Sequence, residues 1–117
     1  MEIKEKVKIG FRDSVEELDA VIDTGADITM INEEVLLKLG VPQIGNWSVH
    51  FGGEFEGTKP VYPLLFLQIK DCVISVLNVI GGNKNLIGHD ILQRAKAVID
   101  EGKGTIEFPV DDGTIEM

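Results

Sequence analysis

Several things are scarce in this chain. Of its 117 residues one is cysteine, four are proline, and tryptophan and tyrosine occur once each. A lone thiol, Cys72, excludes an internal disulfide and any metal site built on CxxC pairs. Its neighbours Val73 and Ile74 mark it as a strand-borne, buried thiol rather than a reactive one. Basic residues are also few: eleven Lys and Arg stand against twenty Asp and Glu, a net charge of −9. So acidic a surface repels DNA, RNA and anionic membrane, and none of these is an expected partner. No apolar run approaches the roughly 20 residues of a spanning helix. The opening MEIKEKVKIG is charged throughout and lacks the apolar centre of a signal peptide. A soluble, cytoplasmic protein is expected. Two distant histidines, His50 and His89, make a poor ligand set, so no metal or other cofactor is expected.

What remains is an ordinary globular composition, 44% apolar and 26% charged with 13 glycines, enough for one domain over residues 1–117. Most of it reads as short strands. Lys6 to Phe11 alternates, with Val7, Ile9 and Phe11 on one face. Asp13 to Glu17 is a polar turn, and Leu18 to Ile22 returns as a second strand. Ile28 to Ile31 is short and apolar. Asn32 is an N-cap candidate ahead of Glu33 and Glu34, and Gly40 with Pro42 stops a helix over Asn32–Leu39. Trp47 to Phe55 forms a hairpin about Gly52-Gly53, with Trp47 packing at its base. Val61–Lys70 and Val73–Val79 form another, turned at Lys70-Asp71-Cys72. Gly81, Gly82 and Asn83 break the chain before Leu86-Ile87-Gly88. Asp90 caps a second short helix to Ala95, and Val98–Asp100 with Thr105–Phe108 make a final hairpin. Thr114 to Met117 is one more strand. Leu18–Leu39 and Val76–Ala95 are faintly alike, each an apolar strand, a glycine-containing turn and a short helix. Many strands with one or two short helices indicate an all-β, closed-barrel architecture, and the absence of βαβ rhythm excludes a Rossmann-like one. Lys103 in GKGT is no phosphate loop, because the preceding glycine spacing is missing and Gly104 stands where a hydroxyl is required.

The chemistry concentrates in LDAVIDTGADITMI, Leu18 to Ile31. An apolar strand delivers Asp23 into a tight loop and another apolar strand leaves it. Thr24 supplies a hydroxyl to tie the loop to a neighbour. Gly25 allows unusual dihedrals or close backbone approach, and its N–H can donate to the carboxylate. One carboxylate alone is weak acid–base chemistry. Two facing carboxylates hold different protonation states, because like charges in contact cannot both ionise. The chain carries a single DTG, so the second must come from a twofold-related copy.

These residues resemble the retroviral-type, single-lobe (retropepsin-like) aspartic proteases. Asp23-Thr24-Gly25-Ala26-Asp27 after Val21-Ile22 is similar to that family's catalytic loop. Leu86-Ile87-Gly88, continuing His89-Asp90-Ile91-Leu92, is similar to its second signature. The hairpin at Gly52-Gly53 falls where the family carries its flap, and the resemblance spans Val7 to Phe108. It implies a homodimeric endopeptidase with a retropepsin-like barrel, acting on extended peptide or protein substrates without metal or covalent intermediate. Asp23 and its copy would be catalytic, with Thr24, Gly25 and Ala26 as the supporting loop. Gly25, Asp27, Phe51, Gly52, Gly53 and Ile87 would meet substrate, within walls drawn from Met30, Val49, Phe51, Phe55 and Ile87. Leu86, Gly88, His89 and Asp90 would give structural support, with His89 able to pair with Asp27. The ends, Met1–Lys6 and Thr114–Met117, would interleave between protomers.

Two other readings use the same residues. One is a retropepsin-like domain that dimerises or binds peptide without cleaving it. The other is an unrelated acidic β module, in which Asp23 and Asp27 form turns or loosely hold a divalent cation.

Overall fold

The structure is a computed structural model that describes residues 2–51, 55–100, 102–108 and 114–116, with residues 49–51, 55–56 and 114–116 described by their backbone. Strands β1 (Ile3–Phe11) and β2 (Ser14–Ile22) form a hairpin in unbroken register from Ile3↔Ile22 to Phe11↔Ser14. Inward residues Val7, Ile9, Leu18 and Ala20 are buried, while Lys4, Lys6 and Lys8 face out. The polar turn expected at Asp13–Glu17 is shorter. Arg12 and Asp13 alone make it, with Arg12 at a φ of 53°. Glu16, Glu17 and Asp19 belong to β2, where exposed Glu17 and Asp19 alternate with buried Leu18 and Ala20. Glu17 lies across from Lys8 and Asp19 across from Lys6, so the acids oppose bases.

After the loop that follows β2 come β3 (Met30–Asn32) and α1 (Glu33–Lys38). The Asn32 side chain accepts from the Glu34 N–H at 2.8 Å, the expected cap. Strand β4 (Gly45–Phe51) pairs with β5 (Phe55–Ile69) up to Phe51↔Phe55. Strand β5 is 15 residues long and continuous where two separate strands were expected. It pairs with β4 first, then with both β1 and β6 (Cys72–Gly82), so it ties three hairpin arms together. Lys70 and Asp71 make the turn into β6, and Cys72 opens that strand, buried as expected. Gly81 and Gly82 close β6 rather than breaking the chain ahead of them.

Strand β7 (Leu86–Ile87) leads into α2 (His89–Arg94), and β8 (Val98–Asp100) with β9 (Thr105–Glu107) forms a separate two-stranded sheet. The last strand, β10 (Thr114–Glu116), lies parallel to β6. The main sheet has the order β10-β6-β3-β7-β2-β1-β5-β4, with β5 also paired to β6. The domain is therefore mostly β with two short helices, as the alternation implies. The two faintly similar segments exchange partners: β2 runs parallel to β7, and β3 parallel to β6.

Both chain ends lie in the main sheet. Ile3–Lys6 pair with Asp19–Ile22 of the same chain and β10 pairs with β6, so both ends are engaged within the protomer. Trp47 departs from expectation, 39% exposed on β4, which lies at the sheet edge with one face open. Among the described residues no helix is long and apolar enough to cross a membrane.

Candidate active site

The site is built where β2 ends beside β7. Their parallel pairing, Val21↔Leu86 and Ile22↔Ile87, continues one residue further as the Asp23 N–H donates to the Ile87 carbonyl at 2.9 Å. Asp23 thus leaves the sheet with its backbone fixed. Its Oδ1 accepts from the Gly25 N–H at 3.0 Å, and its carbonyl from the Ala26 N–H at 3.2 Å, which coils the loop tightly behind the carboxylate.

The loop has two unlike faces. On the outer one, Thr24, Gly25 and Asp27 are exposed and Asp23 is half-buried, and among the described residues neither Thr24 nor Asp27 engages its side chain. Gly25 has a negative φ, and a Cβ added there would meet only Asp23 Oδ1, at 3.4 Å. The protomer's own packing therefore does not require glycine at this position.

The inner face centres on Thr29, which has no solvent exposure. Its hydroxyl donates to Asp90 Oδ1 at 2.8 Å and accepts from the Gly88 N–H at 3.0 Å, while its own N–H reaches the same Oδ1 at 3.1 Å. Its carbonyl accepts from Ile80 N–H at 3.0 Å. Asp90 Oδ1 also receives the Ile91 N–H at 2.8 Å. The N–H groups of His89 and Asp90 donate to the carbonyls of Ala26 and Asp27, at 2.7 and 3.2 Å. The start of α2 is thereby clamped onto the loop carrying Asp23. Gly88 is required sterically, since a Cβ there would stand 2.7 Å from the Ile28 carbonyl carbon and 2.9 Å from the Ala26 oxygen.

Several sequence expectations are refined by this geometry. Gly88, not Asp90, is the N-cap of α2, and Asp90 spends its carboxylate on Thr29 as well as on its own helix. No hydrogen bond or ion pair joins the His89 and Asp27 side chains among the described residues; the two segments are held by backbone bonds instead. Of the expected wall residues, Ile87 is fully buried in the core of the protomer and Met30 is 4% exposed. Side chains alternate along β7, so it is Leu86 that turns outward beside Asp23. Gly52, Gly53 and the side chains of Val49, Phe51 and Phe55 lie outside the described residues.

Beside Asp23 lies a cavity of about 530 Å³, lined by Glu2, Lys4, Asp19, Ala20, Val21, Asp23, Lys84, Asn85 and Leu86. Asn85 organises its floor: its Oδ1 accepts from Asn32 N–H, its Nδ2 donates to the Asp19 carbonyl, and its own carbonyl accepts from Val21 N–H. At the rim Lys6 Nζ bonds Asp19 at 3.0 Å, and that hydrogen bond, with the attraction of the carboxylate, raises the Lys6 ammonium above its usual 10.5. Thr29, Lys84 and Asn85 carried no warning in the local sequence. The only available signal for Thr29 was a polar residue inside an otherwise apolar strand.

Comparison with solved structures gives the same fold. The EIAV protease, solved in complex with an inhibitor, superposes with a TM-score of 0.60 at 22% identity, covering 86% of this chain and 93% of that one. A retropepsin-like aspartic protease from Rickettsia conorii matches with a TM-score of 0.54 at 18% identity, covering 86% of this chain and 90% of that one. No family model matches the sequence, and no curated protein does. The chain has the retropepsin-like fold.

Proposed function

We propose that the protein is an aspartic endopeptidase whose active unit is a homodimer, with Asp23 of each protomer facing its copy across a twofold axis. The observation that carries this reading is the two-faced loop. Asp23 is held rigidly by Ile87 and Gly25, while Thr24, Gly25 and Asp27 beside it stay open. The inner face is bonded through Thr29 and Asp90, and among the described residues the outer side chains of Thr24 and Asp27 have no partner. Gly25 leaves room for an incoming backbone, and Thr24 has a hydroxyl to offer a second copy. In the same reading, the β5–β6 pairing closes the main sheet into a barrel.

The reaction follows from two carboxylates sharing one proton. The ionised Asp23 takes a proton from a water as the water oxygen attacks the scissile carbonyl. The protonated copy gives its proton to the carbonyl oxygen, yielding a tetrahedral gem-diol. Collapse breaks the C–N bond as a proton passes to the leaving nitrogen. Asp27 accepts from the peptide main chain, and the β4–β5 hairpin covers it. Residues 1–117 act as one domain.

The test is cleavage of a peptide library at mildly acidic pH, with sedimentation to read the dimer. Asp23→Asn should fold and lower turnover by about 10²–10⁴-fold, the contribution of a positioned acid–base group. Cleavage retained in that variant would remove Asp23 from the chemistry. Peptide binding without any cleavage by the wild-type chain would favour a non-catalytic binding domain.

A further inference from the structure

The cavity beside Asp23 has an uneven charge balance. Three acids and two lysines line it. Glu2 lies 3.9 Å from Lys4, and Asp19 is bonded by Lys6 from outside the lining. Those two acids are therefore each matched by a lysine. Lys84 is exposed and makes no ion pair or hydrogen bond among the described residues. It stands next to Asn85, whose side chain is committed to β2 and β3, and next to Leu86, which gives the cavity an apolar side. The cavity thus combines an apolar wall with two charges left unmatched, the Asp23 carboxylate and the Lys84 ammonium, in a protein whose net charge is −9.

We propose that Lys84 is a specificity-determining residue, selecting a peptide with an acidic side chain at a position adjoining the bond presented to Asp23. This deepens the endopeptidase reading and rests on it. An extended peptide projects successive side chains to opposite sides, so a residue flanking that bond is directed into the cavity. There a carboxylate completes the pairing that Lys84 lacks, and the aliphatic stem of the same residue lies along Leu86. An uncharged side chain of the same length gains the second contact only. A lysine in that place meets Lys84 as a like charge.

The experiment compares peptides identical except for Glu, Gln or Lys at the residues on either side of the cleaved bond. At low ionic strength the wild-type chain should favour Glu over Gln by about fivefold in kcat/KM, the upper range for a solvent-exposed ion pair. The preference should shrink as salt is added. Lys84→Gln should erase it, Lys84→Glu should reverse it in favour of Lys, and Lys103→Gln on the distant β8–β9 turn should leave it intact. A preference unchanged in Lys84→Gln, or absent in the wild type, overturns the proposal. Binding of the same peptides to Asp23→Asn separates the two readings. No cleavage by the wild-type chain, with a Lys84-dependent binding preference in Asp23→Asn, would sink the endopeptidase reading and leave the pocket inference standing. Cleavage without that dependence would do the opposite.

Discussion

Thr29→Val is the sharpest probe of how the loop is held. Valine matches threonine in shape, so the substitution removes one hydroxyl and little else. That hydroxyl makes two bonds, donating to Asp90 at 2.8 Å and accepting from Gly88 at 3.0 Å, at a site with no solvent exposure. Losing a hydrogen bond to a carboxylate costs about 1.5–3 kcal/mol, and a buried N–H left without a partner costs about 1–3 kcal/mol. Both losses come from one atom and do not add fully. The expected destabilisation is about 3 kcal/mol, which for a domain of this size lowers Tm by about 10 °C. The Thr29 N–H still reaches Asp90, so the variant should remain folded. Urea denaturation should show an earlier midpoint with an unchanged slope. Thr29→Ser keeps the hydroxyl and should lose only the smaller cost of a buried methyl, about 1 kcal/mol. Hydrogen exchange adds a local reading, with the Gly88 amide losing protection in the valine variant and keeping it in the serine one. A Thr29→Val protein within about 0.5 kcal/mol of wild type would refute the latch.

Two further outcomes follow from the same geometry. Gly88→Ala should destabilise by about 1–3 kcal/mol, because the added Cβ meets the backbone of Ile28 and Ala26, which cannot rotate away; an unaltered unfolding midpoint would contradict it. Tyr62 is the only tyrosine, so its phenolate absorbance can be followed directly. Burial, and then its hydrogen bond to Glu33, raises its pKa above 10.0, and Glu33→Gln should bring the midpoint back down. The folded state holds this proton longer than the unfolded chain does. Stability should therefore be complete below pH 10 and fall as pH rises through the folded midpoint; a native titration at or below 10.0 would disprove the shift.

The sequence made the Asp23 loop and the Leu86-Ile87-Gly88 segment legible because each is local. An apolar strand ending in DTG, and an apolar pair followed by glycine, are patterns within a dozen residues. The Asn32 cap and the burial of Cys72 are local in the same sense. What escaped was decided across the chain. Thr29 and Asp90 are 61 residues apart, and nothing in DITMI or HDIL separately announces that they bond. Asp90 looked like a cap because acidic residues favour helix starts, but Gly88 turns the chain one residue before the helix and frees the carboxylate for Thr29. The length of β5 was hidden by Pro60 and Pro63, which lie within it without ending it. The exchange of outward duty from Ile87 to Leu86 depends on the phase of a two-residue strand, which only its partner β2 sets.

The position of β1 has a practical consequence. Its pairing sets Ile3 across from Ile22, one residue before Asp23, and Glu2 and Lys4 line the cavity beside that carboxylate. The start of β1 therefore stands beside the cavity. A purification tag placed there would be held at high effective concentration against Asp23. On the proposed endopeptidase reading it would compete with added peptide and mask weak turnover, and on the proposed role of Lys84 an acidic tag would compete most. Untagged protein is the form in which the activity and selectivity of this loop should be measured.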